Sequence, residues 1–235
     1  MTTPLQYSSN CDLYTFGCIS DHNVVLACFL AGQTGPQSAA TAAARMISKF
    51  TSICFGLMVG IGGGVPSAGL DIGLGDVVIS QLFLQHEGVL NAPPVVLLSA
   101  VSKLRALHHQ GQNNLPTYLS TFNPLETFSR NTAGSNVLFN ATYNRIGEAT
   151  CEQYSKEMEV VVYYGIIASG NQVVKDGVTR DRISAELGGV MCFEMEAARL
   201  MNNFPCLVIQ AATAAAYVKE ILSIVPAAID EADYG

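Results

Sequence analysis

The stretch Leu57–Ser80, LMVGIGGGVPSAGLDIGLGDVVIS, places four glycines within five positions directly after an apolar run. The flanking runs predict two buried strands, Cys54–Val59 and Asp76–Leu84. Glycine lets backbone N–H groups approach an anion or polar ligand without hindrance from a Cβ atom. Ligands of parallel sheets bind at the carboxyl ends of strands. We therefore expect a ligand-binding segment after the first strand, with a tight structural turn as the alternative; its glycines are Gly60, Gly62, Gly63 and Gly64.

The glycine segment does not match two common nucleotide-binding motifs. No Gly-Lys-Ser/Thr follows it, so it is not a phosphate-binding loop of the Walker A type. It leads into a strand rather than a helix, which argues against the dinucleotide-binding fingerprint.

Composition predicts a large core and excludes some partners. The chain has 235 residues, of which 49% are hydrophobic and 13% charged, and its mean hydropathy is +0.31. Continuous apolar runs with little charge are typical of a sheet covered on both faces. The formal net charge of −7 argues against a nucleic-acid partner. No apolar run is long enough for a membrane span, and the opening MTTPLQYSSN does not resemble a signal peptide. We expect a cytoplasmic protein.

The cysteine pattern predicts neither disulfides nor a metal site. Seven cysteines occur, an odd number, several of them within apolar runs, and no CxxC pair is present. Buried reduced thiols of an intracellular protein are the expected state, with zinc or disulfides as the alternatives. His108 and His109 are adjacent on a predicted helix and do not share a face, so we expect no metal there.

The remaining runs predict alternating strands and helices. Predicted strands are Tyr14–Ile19, Asn23–Leu30, Cys54–Val59, Asp76–Leu84, Val160–Ala168, Val190–Phe193 and Cys206–Gln210. Predicted helices are Ser38–Phe50, Pro93–His109, Thr179–Leu187, Glu194–Asn203 and Ala211–Val225. This alternation predicts an α/β fold of three layers, α/β/α, around a central mixed, largely parallel sheet. Without repeats or a low-complexity linker, we expect one domain over residues 1–235.

Two further stretches carry candidate site residues. In GGVMCFEMEAARLMNNFPCLVIQ, Gly188–Gln210, Glu194 and Glu196 flank Met195. These carboxylates either cap a helix or accept two hydroxyls of a sugar diol, which two carboxylate oxygens match. In GIIASGNQVVKDGVTRDR, Gly165–Arg182, a strand ends in a polar loop, and an ordinary strand-to-helix connection is the alternative to a ligand-binding role.

The three stretches, in this order, resemble the purine nucleoside phosphorylase / nucleosidase superfamily. The resemblance is greatest to the fungal branch that often carries this domain at the head of longer proteins. It covers roughly Tyr14–Pro226 and is weakest across residues 82–91 and 111–153. The family is α/β, is commonly oligomeric, and cleaves the N-glycosidic bond of nucleosides by water or phosphate. It implies a purine nucleoside or nucleotide as ligand, a homo-oligomer, and no metal or organic cofactor, with phosphate as the co-substrate of a phosphorylase.

The resemblance also implies roles for particular residues. Glu196 would hold the ribose 2′ and 3′ hydroxyls and stabilise the oxocarbenium-like transition state. Met195 would pack under the ribose, and Phe193 and Val173 would line the base pocket. The glycines Gly60, Gly62, Gly63 and Gly64 would bind phosphate or the attacking water.

Three departures from the family pattern leave alternatives open. From the resemblance we expect the chain to start downstream of the family's first strand and the segment after Ser80 to be shorter than the family's. The family's strand matching Cys206–Gln210 continues into a motif whose aspartate protonates the leaving base, but no Asp or Glu follows Gln210 before Glu220. Asp71 and Asp76, near the glycine segment, are the candidate substitutes, and the alternative expected for Asp76 is that it caps or turns the chain before its strand. The alternatives to an active enzyme are therefore an impaired nucleoside- or sugar-binding or storage protein, and a shortened chain that only assembles.

Overall fold

A computed structural model of the chain describes residues 14–29, 35–67, 70–81, 92–122, 137–138, 152–153, 160–211 and 213–227. The strands within these ranges are β1 (Tyr14–Ile19), β2 (His22–Ala27), β3 (Gly56–Gly60), β4 (Gly63–Gly64), β5 (Val77–Ser80), β6 (Val137–Leu138), β7 (Glu152–Gln153), β8 (Val162–Ser169), β9 (Val190–Glu194) and β10 (Cys206–Gln210). The helices are α1 (Pro36–Lys49), α2 (Val95–His109), α3 (Leu115–Ser120), α4 (Gly177–Glu186), α5 (Ala197–Asn203) and α6 (Ala214–Leu222).

The main sheet has six strands in the order β3-β10-β5-β8-β9-β4. Three of its five pairings are parallel, namely β10 with β3, β5 with β8, and β8 with β9. The pairings of β10 with β5 and of β4 with β9 are antiparallel. The sheet is therefore mixed and largely parallel, as predicted. Because β3 and β4 are two residues apart in the chain yet pair at opposite ends of this order, the sheet must curl on itself.

Strand β10 separates two helical layers. Its side chains alternate between the faces of the sheet, as they do in any strand. Leu207 and Ile209 pack in a core cluster with residues of α2, α3 and α6. Cys206 and Val208 pack in a second cluster, with residues of α1 and α5. The predicted three-layer α/β/α architecture is confirmed.

Strands β1 and β2 form a separate antiparallel hairpin around Ser20 and Asp21. Ser20 takes a left-handed conformation with φ of 51°, which a short polar residue in a tight turn tolerates. The ring of Tyr14 packs edge-on against Phe50 at the end of α1, with centroids 5.0 Å apart. The Nε2 atom of His22 lies 3.0 Å from the carbonyl oxygen of Val225. The hairpin is thus attached to the main body at both of its ends.

The observed element boundaries correct the predicted ones. Helix α5 begins at Ala197, three residues after the predicted start at Glu194, because Glu194 is the last residue of β9. Helix α1 begins at Pro36 rather than Ser38; proline is favoured in a first turn because its missing N–H has no partner there anyway. The predicted extension of β5 to Leu84 lies outside the described residues beyond 81. Among the helices described, none is long and apolar enough to cross a membrane.

Candidate functional site

The glycine segment packs directly against strand β9. Gly63 pairs with Phe193 and Gly64 with Cys192 in an antiparallel register. A Cβ atom on Gly62 would lie 2.2 Å from the Sγ atom of Cys192 and 3.0 Å from the carbonyl oxygen of Phe193. Neither Gly62 nor its neighbouring glycines take a positive φ. The segment needs glycine at position 62 because the Cys192 side chain and the Phe193 backbone lie so close to it, and not because the chain turns there.

Glu194 provides the N-terminal cap of α5. Its side chain is buried, at 5% exposure, and its Oε2 atom accepts hydrogen bonds from the backbone N–H groups of Glu196 at 2.7 Å and Ala197 at 2.9 Å. Burial raises the pKa of Glu194, and the hydroxyl of Ser169 opposes that rise. Capping by Glu194 leaves the second carboxylate of the Glu-Met-Glu stretch available for another role.

Glu196 holds its carboxylate at the start of α1. It is half-buried at the N-cap position of α5. Its Oε1 atom accepts from the N–H of Gly35 at 3.3 Å, and its Oε2 atom accepts from the N–H of Met195 at 3.1 Å. An ionised carboxylate has about four acceptor sites, so these two bonds leave capacity for two further donors.

The glycine segment and the start of α5 lie on the same side of the sheet. Gly60 pairs with Gln210 in the parallel register of β3 and β10. Residues two apart on a strand share a face, so Gly60 shares a face with Met58, and Gln210 with Val208. Met58 and Val208 both belong to the cluster that packs against α1 and α5. Gly60 and Gln210 are therefore on the face covered by the helix that Glu196 precedes.

The other predicted site residues lie at the ends of β8 and β9. Phe193 and Met195 are half-buried, next to the glycine segment and Glu196 respectively. Val173 is 60% exposed on the loop that follows β8. The N–H of Gly170, in the same loop, donates to the carbonyl oxygen of Glu194 at 3.0 Å, which ties the loop to the end of β9. The base-binding roles of Phe193 and Val173 stay predictions.

Gln210 is a candidate that the sequence patterns did not single out. It is 2% exposed, and neither its Oε1 nor its Nε2 atom has a hydrogen-bond partner in the part of the chain that the structure describes. Its amide lies where a side chain on Gly60 would be, with Oε1 2.8 Å and Nε2 3.2 Å from an idealised Cβ. The signal in the sequence was one amide side chain ending the otherwise apolar strand CLVIQ.

Two acidic residues near the glycine segment and β10 in sequence, Asp76 and Glu220, have other partners, whereas Asp71 is exposed and its backbone carbonyl accepts from the Tyr163 hydroxyl at 2.7 Å. Asp76 accepts from the N–H of Gly73 at 2.8 Å and of Val161 at 2.9 Å, so it fixes the turn before β5. Glu220 is buried in α6, on the opposite face of the sheet. Its Oε1 atom accepts from the N–H of Asn114 at 2.9 Å and lies 3.2 Å from the Nε2 atom of His108.

The described cysteines do not form a metal site. Cys18, Cys28 and Cys54 are exposed, and Cys192 and Cys206 are buried. Burial raises the pKa of both buried thiols to about 12, and the Glu194 charge adds to the rise. A thiol with so high a pKa is a poor metal ligand or nucleophile. Over the described residues, no group of three or more His, Cys, Asp or Glu side chains is arranged to hold a metal ion.

Comparison with protein families gives one match over most of the chain. The family model described as the phosphorylase superfamily matches residues 2–216. A protein of the fungus Hyaloscypha variabilis is described as a nucleotide-binding leucine-rich repeat (NLR)-like protein. It is 36% identical to this chain over an alignment 256 residues long, and this alignment covers 90% of this chain and 26% of that protein. The chain thus spans about a quarter of that relative. The matched region is longer than the 235 residues of this chain, so the relative carries residues there without a counterpart here.

Solved structures with the same fold are nucleosidases and a hydrolase. A 5′-methylthioadenosine/S-adenosylhomocysteine nucleosidase from Streptococcus pneumoniae with a transition-state inhibitor has a TM-score of 0.56 at 16% identity, covering 94% of this chain and 89% of its own. A mutant Helicobacter pylori nucleosidase with 5′-methylthioadenosine in its active site has a TM-score of 0.56 at 13% identity, and the match covers 92% of this chain and 87% of that one. A futalosine hydrolase mutant from the same species has a TM-score of 0.54 at 14% identity, and the match covers 92% of this chain and 84% of that one. At these identities the likeness establishes the fold.

Proposed function

The chain belongs to the phosphorylase superfamily, and from this premise we propose that it binds a purine nucleoside or nucleotide and cleaves its N-glycosidic bond with water or phosphate. The proposal rests chiefly on one arrangement. The Glu196 carboxylate precedes the helix that covers the face of the sheet on which Gly60 lies, and it accepts hydrogen bonds from the backbone N–H groups of Gly35 and Met195.

Glu196 suits the part of the reaction that develops positive charge on the sugar. Its two oxygens can accept the neighbouring 2′ and 3′ hydroxyls of a ribose. A carboxylate fixed there stabilises an oxocarbenium-like transition state more than it does the neutral substrate, and that difference accelerates the reaction. Met195 is next to it in the chain and is half-buried, so it would pack against the apolar face of the sugar.

The glycine segment suits the nucleophile, and the end of β9 suits the base. Backbone N–H groups of Gly60, Gly62, Gly63 and Gly64 would bind phosphate or the attacking water, since glycine has no Cβ atom to hinder the approach of a ligand. Phe193 and Val173 would contact the purine. This mechanism needs neither a metal nor an organic cofactor. The proposal includes a cytoplasmic location and assembly into a homo-oligomer.

A second candidate function is nucleoside binding without turnover. The observation that favours it concerns two of the nearby acids: Asp76 bonds to two backbone N–H groups, and Glu220 lies on the other face of the sheet. Neither is free to protonate a leaving purine, and loss of a general acid costs about 10²–10⁴-fold in rate. A slow enzyme or a binding protein would share the same ribose contact at Glu196.

Base release decides between these functions. The full chain is incubated with adenosine, inosine, AMP and 5′-methylthioadenosine, with and without phosphate, and free base is measured by chromatography. We expect base release from one of these substrates and its loss by ~10²-fold or more in Glu196→Ala. Release that depends on phosphate identifies a phosphorylase, and release without it a nucleosidase.

The matched control is Glu186→Ala, which removes an exposed glutamate of α4 and should leave the rate unchanged. Thermal unfolding with each nucleoside separates the two functions further. A nucleoside that raises the melting temperature without releasing base supports the binding protein. Turnover that survives Glu196→Ala would show that the sugar site lies elsewhere.

A further inference from the structure

The Gln210 carboxamide is a buried polar group without a partner. The residue is 2% exposed, and both its Oε1 and Nε2 atoms lack hydrogen bonds within the described ranges. Buried amides in folded proteins are nearly always paired, because leaving one unpaired costs the free energy of its lost hydration. An exception at the carboxyl end of a strand, in an α/β sheet that binds ligands at such ends, points to a partner that arrives from outside the chain.

The neighbouring backbone leaves room for this amide. An idealised Cβ on Gly60 would lie 2.8 Å from the Oε1 atom of Gln210, and one on Gly62 would lie 3.4 Å from its Cβ atom. The bare backbone at these positions thus gives the Gln210 side chain its place between β3 and β10. Gly60 and Gln210 form one structural unit, in which the absence of one side chain accommodates the other.

The chemistry of a primary amide limits what the partner can be. Nε2 donates and Oε1 accepts, so a ligand that satisfies both must present an acceptor and a donor side by side. Phosphate is mainly an acceptor and offers Oε1 only its P–OH hydroxyl, so it is measured as a competing ligand in the test below. Adenine presents the required pair on either edge, its 6-amino group beside N7 or N1, and glutamine pairs with the amino group and N7 in known complexes.

We propose that the Gln210 carboxamide binds the adenine base of the ligand, Nε2 donating to a ring nitrogen and Oε1 accepting from the 6-amino group. This inference rests on the proposed function, which assigns the ribose to Glu196 and leaves the base to be recognised. It holds for a slow enzyme and for a binding protein alike, because an amide binds the base without transferring a proton to it.

The test measures equilibrium binding of adenine, unsubstituted purine and phosphate by calorimetry, on the full chain and on Gln210→Met. Purine retains the ring nitrogens and lacks the 6-amino group. We expect wild type to bind adenine at least about tenfold more tightly than purine, in line with one lost hydrogen bond. In Gln210→Met this preference should disappear, while binding of phosphate stays the same.

Stability without ligand gives a second, independent readout. Replacing an unpaired buried amide by an apolar chain of similar length should leave the melting temperature unchanged or raise it. Gln110→Met, at an exposed glutamine after α2, is the matched control and should change neither readout. If Gln210→Met does not fold, Gly60→Ala tests the same contact, since its methyl group would displace the amide.

The outcomes separate failure of this inference from failure of the proposed function. If wild type binds neither nucleoside nor base, the proposed function fails and this inference with it. If wild type binds adenosine and Gln210→Met keeps the full preference for adenine, the inference alone is wrong. A lower melting temperature of ligand-free Gln210→Met would also overturn it, because the amide would then have a partner within the protein.

Discussion

Residues of the same type that lie one or two positions apart in this protein have different roles. Gly62 is enclosed by the Cys192 side chain and the Phe193 backbone, whereas an idealised Cβ on Gly63 meets nothing within 4 Å. Glu194 caps a helix while Glu196, two residues on, reaches the N–H of Gly35. The sequence identified both groups as site candidates without distinguishing their members, because the distinction depends on what lies across from each.

The contrast between the two glycines gives a prediction. Gly62→Ala should lower the free energy of unfolding by about 1–3 kcal/mol, because the methyl group can fit only if β4 moves away from β9. Gly63→Ala has open space and a backbone that accepts alanine, so its stability should change little. Urea unfolding of the two variants measures the difference. Equal stabilities would contradict the close packing of β4 on β9.

At the scale of elements, strand β9 and helix α5 are joined through the buried carboxylate of Glu194. Its two hydrogen bonds to backbone N–H groups fix where α5 begins. The sequence predicted a helix from Glu194, since the alternation of charged and apolar residues there is ambiguous. In the structure Glu194 pairs with Ser169 of β8, so it belongs to strand β9 and not to the helix. In contrast, β10 was predicted with its observed bounds because five consecutive residues are buried on both faces.

This buried carboxylate predicts a pH dependence. Folding raises the pKa of Glu194 above its usual value of 4.5, so over the interval between the unfolded and folded values the folded chain binds more protons. Stability therefore falls as the pH rises through that interval. Glu194→Gln keeps an acceptor oxygen but cannot ionise, so its stability relative to wild type should improve between pH 4.5 and pH 7.

Urea unfolding at several pH values measures this change. Glu186→Gln, at an exposed position of α4, controls for the loss of a carboxylate and should stay within about 0.5 kcal/mol of wild type. A constant difference between Glu194→Gln and wild type across the pH range would show that burial does not disfavour the charged form.

At the scale of the whole molecule, the described chain has a six-stranded sheet, a short pairing of β6 with β7, and the hairpin β1–β2, whose strands pair only with each other. All five residues of β10 are buried, and β3 and β5 bond to it on either side. The hairpin β1–β2 has no fully buried residue; it contacts the main body through Phe50 and Val225, and its half-buried Ile19 and Val24 pack against the edge of the main core cluster. An isolated two-stranded hairpin is at best marginally stable in water.

This difference predicts the order of amide hydrogen exchange. Peptides that contain β10 should exchange slowest, with protection close to that of global unfolding, and peptides that contain β1 and β2 should exchange faster by orders of magnitude. Mass spectrometry of timed exchange samples provides the measurement. Equal protection would show that the hairpin unfolds only together with the main sheet.

The sequence alone determined the layers of the fold and its family. Buried strands show as apolar runs, helices as amphipathic ones, and three glycine- and glutamate-containing blocks in a fixed order indicate the superfamily. Only the tertiary structure decided that the sheet curls so that β4 pairs with β9, that Glu194 is the cap, and that Gln210 lies unpaired against Gly60. Local patterns record which residues avoid water, whereas the partners of a buried polar group are set by elements far away in the chain.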